Sequence, residues 1–149
     1  MQAETEKTSD SAWTAIVAAA LLRRGAMVHA ASLTLTLSTL LGAAAWSILA
    51  PGYGLGWLSV GAAIVLLGIV EFWLAARVAL DAELFDAIAA KQADLDGFDR
   101  AMQALELMPQ DKAGRALGNR VHGAFRLLKL QGLMLGLQMA VLVLGVLRA

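Results

Sequence analysis

Glu71 is the residue whose type and position most invite chemistry. It stands inside an apolar run, 55–76, where an ionisable side chain costs about 2.5–3.5 kcal/mol to place in lipid and so needs a partner or a purpose. Folding the preceding hairpin about residues 52 and 53 sets Glu71 level with Thr34, within reach of Ser32, Thr34 or Thr36. Aligning the polar ends of the second and third apolar runs brings Gln138 to the same depth. Glu71, Ser32, Thr34, Thr36 and Gln138 are therefore expected to form one intramembrane polar cluster. Such a cluster either fixes the order of helices or lines a path for an ion or proton. The plainer reading is structural pairing, because Trp73 marks a membrane edge about half a turn beyond Glu71.

Other chemistries are poorly supplied. The chain has no cysteine, which removes disulfides, thiolate metal sites and thiol nucleophiles. Its two histidines, His29 and His122, fall at different depths and do not suit a shared haem. No metal site and no cofactor are expected. GxSxG, P-loop, HExxH and GxGxxG patterns are absent, and the membrane holds no second carboxylate to serve a lipid-modifying enzyme. A non-enzymatic role is expected.

The charged residues divide by sign. Six acids and one base lie over 81–99, five bases and no acid over 112–129. Arg115, Asn119, His122, Arg126 and Lys129 share one helical face, opposite Leu117, Val121, Phe125 and Leu128. This face fits anionic lipid headgroups, or the basic arm of a helical hairpin complementing the acidic one. In the hairpin, Glu83 comes beside Arg126 and Asp94 beside Arg115. Arg77 and Asp81 can pair locally, and Asp81 also comes level with Arg24. Arg23, Arg24, Arg115, Arg120, Arg126 and Lys129 are the expected headgroup or partner contacts, with Arg120 the base left free. Net charge is zero, so nucleic acid is not an expected partner.

These residues must be positioned by membrane helices. Of 149 residues, 59% are hydrophobic and 16% charged, with a mean hydropathy of +0.67; an ordinary soluble domain is nearer a quarter charged. Apolar runs over 27–50, 55–76 and 130–147 are each about long enough to cross a bilayer. Eleven of the twelve Lys and Arg residues precede the first run or lie between the second and third. The positive-inside rule then places the N-terminus in the cytoplasm and the C-terminus outside. Trp46, Tyr53 and Trp57 cluster at the outer interface around the turn Pro51-Gly52-Tyr53-Gly54. Ser9, Asp10 and Ser11 can cap a helix over 10–24, whose Trp13, Ile16, Val17, Ala20 and Leu21 make an apolar face for the headgroup layer. The second helix is expected to continue to about 90. A short helix over 98–108 follows, then a long one over 111–147 that ends in the third crossing. Gly132 and Gly136 have the spacing of a close helix contact.

The expectation is an all-α, polytopic integral membrane protein, one domain over 1–149: three transmembrane helices, an N-terminal interfacial helix and a cytoplasmic helical hairpin. Its Ala- and Leu-rich composition suits a bacterial inner membrane. The expected role is a non-catalytic subunit or scaffold in a larger assembly, with other membrane subunits, copies of itself or lipid as partners. The alternative is a small oligomeric transporter or channel with Glu71 lining an ion or proton path.

Overall fold

The computed structural model describes residues 2–49, 55–90, 95–104, 106 and 114–147. The expected turn at 51–54, Asp94, Pro109, Asp111, and the side chain of Trp46 lie outside the described residues. The structure is all-helical: α1 (Gln2–Leu22), α2 (Gly25–Leu49), α3 (Leu55–Ala89), α4 (Leu95–Ala104) and α5 (Leu117–Leu147). Three helical stretches are long and apolar enough to cross a membrane: Ser11–Ala45, which takes in the end of α1 and most of α2, Trp57–Ala89 of α3 and Leu117–Leu147 of α5.

Leu33-Thr34-Leu35-Thr36-Leu37 alternates like a strand yet lies in α2. Thr34, Thr36 and Thr39 each return their hydroxyl to a carbonyl four residues earlier, those of Ala30, Ser32 and Leu35, at 2.8–2.9 Å. The helix thus absorbs its own polar groups without a sheet partner, as apolar surroundings require. Between α1 and α2 the backbone N–H of Arg24 donates to Leu21 rather than one residue earlier, and this tightened turn separates the two helices.

Several boundaries differ from expectation. α1 begins at Gln2, well before Ser9, because the Gln-, Ala- and Glu-containing start is itself a fair helix former. α4 occupies Leu95–Ala104 instead of 98–108; it ends as Glu106 takes a left-handed φ of 56°. α5 begins at Leu117, not near 111, because Gly114 has a φ of +71° that no helix accommodates.

The chain divides into two compact units. The first comprises Met1–Arg24 and Val78–Arg126. Its core holds Ala15, Ala18, Ala19 and Leu22 of α1, Val78, Ala82 and Phe85 of α3, and Val121 and Ala124 of α5, all buried. The small stripe of α1 at i, i+3, i+4 and i+7 is what faces this core, while Trp13, Ile16, Val17 and Leu21 stay exposed. Asp86 of α3 pairs with Arg23 beyond the end of α1. The second unit comprises Gly25–Arg77 and Leu127–Ala149. Its interior is polar to an unusual degree: Ser32, Glu71, Gln131 and Gln138 are buried along with Ile64 and Leu74.

Candidate functional site

Two polar layers run through the second unit, centred on Gln131 and Gln138 of α5, seven residues or about 10.5 Å apart at 1.5 Å per residue. The first joins His29 of α2, Glu71 of α3 and Gln131 of α5. Glu71 is 1% exposed. One carboxylate oxygen lies 3.0 Å from His29 Nδ1, and the other accepts from Gln131 Nε2 at 2.8 Å. The same Gln131 amide donates its second hydrogen to the Gly25 carbonyl at 2.9 Å. An ionised Glu71 can only accept, and in that state Nδ1 of His29 carries the hydrogen and Nε2 is the bare acceptor. The imidazole packs near the Phe72 ring, centroids 5.7 Å apart and planes tilted by 55°.

The second layer centres on Gln138, which is fully buried. Its oxygen accepts from Ser32 Oγ at 2.7 Å, and its nitrogen donates to Thr36 Oγ1 at 3.0 Å and to the Ile64 carbonyl at 3.1 Å. Gly68 makes this approach feasible: a Cβ there would stand 2.6 Å from Thr36 Oγ1 and 3.1 Å from Gln138 Nε2. One group is left over. Gln131 Oε1 is buried with no hydrogen-bond partner among the described residues, an omission that costs about 1–3 kcal/mol unless a donor reaches it.

The expected cluster is thus divided and partly reassigned. Ser32, Thr36 and Gln138 do come together, but Glu71 is bonded elsewhere, to His29 and Gln131. Thr34 is exposed and bonds its own helix. The cause is register. Glu71 opposite His29 mirrors the α2–α3 pair near residue 50, whereas Gly68 against Thr36 mirrors it near 52, so the expected register fails at the level of Glu71. Likewise Glu71 meets Gln131 and Ile64 meets Gln138, so α5 is offset by seven residues from its expected alignment with α3. Gln131, near the start of the third apolar run and two residues after Lys129, is not in the expected cluster. The signal was its seven-residue spacing from Gln138.

Two further expectations change. Arg120 was expected to be free, yet its guanidinium grips both oxygens of Asp99 at 2.6 and 2.7 Å, and its Nε donates to the Arg115 carbonyl at 3.2 Å. The Gly114 N–H donates to the same Asp99 at 2.8 Å. That backbone bond, with the Arg120 hydrogen bond and charge, lowers the Asp99 carboxyl below its ordinary value in spite of burial. Arg23 is held by Asp86, whereas Arg24, Arg115, Arg126 and Lys129 are exposed. No ion pair joins Glu83 to Arg126 among the described residues. The Arg77 guanidinium lies 4.3 Å above the Trp73 ring. Gly132 and Gly136 make no close contact among the described residues: both are exposed, with nothing within 4 Å of an added Cβ. The close approaches are instead at Gly68 and at Gly145, where a Cβ would meet Val60 at 3.0 Å.

A groove of about 210 Å³ lies between α2 and α3. His29, Ser32, Thr36, Gly68, Glu71 and Phe72 border it among aliphatic side chains. The His29 side chain that borders it is 29% accessible. No protein-family model matches the chain, and neither the curated proteins nor the solved structures give a significant match.

Proposed function

We propose that this chain is a non-catalytic integral membrane subunit or scaffold that packs in a larger bacterial inner-membrane assembly. The observation that carries this reading is the division of its surface. Polar side chains of α2, α3 and α5 bond one another inside, while the most apolar windows of the three long helices are only 6%, 17% and 17% buried within the chain. Gly132 and Gly136 lie open on α5, the arrangement that lets a neighbouring helix approach closely. In this reading α1 lies in the headgroup layer on its exposed Trp13, Ile16, Val17 and Leu21. The acidic end of α3, α4 and the basic start of α5 form a cytoplasmic helical hairpin offered to a partner or to anionic lipid. The bias of Lys and Arg supports an N-terminus inside and a C-terminus outside.

Mass measurement on detergent-purified protein tests the reading: a complex or homo-oligomer is expected, and a lone monomer with nothing co-purifying would overturn it. One observation favours the alternative, a small oligomeric transporter or channel with Glu71 on an ion or proton path: Glu71 and His29 border an open groove. Glu71→Gln separates the two. The subunit reading predicts an intact, working assembly, and the conduction reading predicts loss of flux with assembly unchanged.

A further inference from the structure

We infer that His29 and Glu71 form a proton-binding dyad, in which water reaching the α2–α3 groove loads and unloads a proton at His29 Nε2. The inference goes beyond the subunit reading and does not depend on it. Three observations carry it. A carboxylate 1% exposed holds the imidazole through Nδ1 at 3.0 Å, and this pairing fixes the tautomer and leaves Nε2 as the acceptor. The imidazole is 29% accessible and borders a groove of about 210 Å³. On the other side of the carboxylate, Gln131 donates through its amide nitrogen, so the side chain that α5 brings to Glu71 is neutral.

The step balances without a co-reactant. A hydronium ion at the groove gives its proton to the Nε2 lone pair, a new N–H bond forms as an O–H bond breaks, and water remains. The dyad passes from a net charge of −1, carboxylate with neutral imidazole, to net zero, carboxylate with imidazolium. Release reverses this. A buried charge without a counter-charge is costly in an apolar setting, so one proton on the pair is what removes the imbalance. No other charge intervenes: α5 offers only the neutral Gln131 to Glu71. Of the other charged groups described in this unit, Arg77 of α3 lies over Trp73 and Lys129 of α5 is exposed.

The test is nitrogen-15 NMR of histidine-labelled full-length protein in lipid nanodiscs, with His122 as the internal control and His122→Gln to assign the two signals. The wild-type protein should show His29 neutral, with hydrogen on Nδ1 at high pH, and reversibly protonated at Nε2 as pH falls over the range in which the protein stays folded. Glu71→Gln keeps the side-chain shape and removes its charge. It should shift the pH at which His29 protonates and leave that of His122 in place. A wild-type His29 that stays neutral throughout while His122 titrates would overturn the proposal, and so would a His29 titration indifferent to Glu71→Gln. The wild-type measurement decides by itself if the variant fails to fold. Oligomer mass is unaffected by either result, so failure here is distinct from failure of the subunit reading.

Discussion

Gly68 and Gly132 have the same side chain in the same kind of helix, yet they should respond oppositely to a methyl group. At Gly68 the added carbon meets a Thr36 hydroxyl already engaged with Ser32 and Gln138, so Gly68→Ala should destabilise the chain by about 1–3 kcal/mol through overpacking. Gly132→Ala meets nothing within 4 Å and should leave thermal stability in detergent unchanged or slightly raised. Any loss should appear only in co-purification with a partner. Comparing thermal unfolding and pull-down for the two variants checks both halves. Gln131 gives a second test at this scale. Gln131→Leu deletes bonds to the Gly25 carbonyl and to Glu71. It also removes the unpartnered Oε1, so its net cost should fall below that of Gln138→Leu, which breaks three satisfied bonds at about 1 kcal/mol each.

Among the elements, the Asp99–Arg120 clasp fixes where α5 begins relative to α4. Its side chains are only 7% and 12% exposed, so it is better shielded from water than a surface pair. Breaking it by Arg120→Met should cost about 3 kcal/mol, since a buried carboxylate is left facing only Gly114. Because the folded Asp99 carboxyl lies below its unfolded value of about 3.9, its stabilisation is present above that value and is lost as pH falls through the lowered one. Thermal unfolding between about pH 6 and pH 3 should show this loss, and Asp99→Asn should remove that part of the pH dependence. The clasp also shows what could be read in advance. The helical class and the three long apolar helices were legible because lipid-length runs of residues without charge leave few alternatives. The polar cluster was legible as to composition, but not register. One-dimensional alignment fixes depth only as well as it fixes the turn, and a shift of a few residues on the α2–α3 pair exchanged Thr34 for His29. Arg120 was misread because its partner lies on α4, whose place against α5 depends on a left-handed Gly114 that periodicity does not reveal.

At the scale of the whole molecule, the open question is what covers an apolar exterior that the chain leaves bare. Reporters fused to the two termini should appear in opposite compartments if three helices cross; the same compartment for both would refute the orientation. Cross-linking from a cysteine placed at Gly136, a position with open space around it, should capture a neighbouring helix in membranes, whereas one at Gly68 should not. Glu71 has a further consequence, for biogenesis. It draws its two partners from opposite directions along the chain, His29 already synthesised and Gln131 still sixty residues ahead. As the ribosome emits α3, the acid can shelter only against the imidazole of α2, so those two helices are expected to enter the bilayer as a pair. A reporter fused after residue 90 should therefore face the cytoplasm with His29 present and reach the outer side in part with His29→Leu, with no α5 in the chain to help.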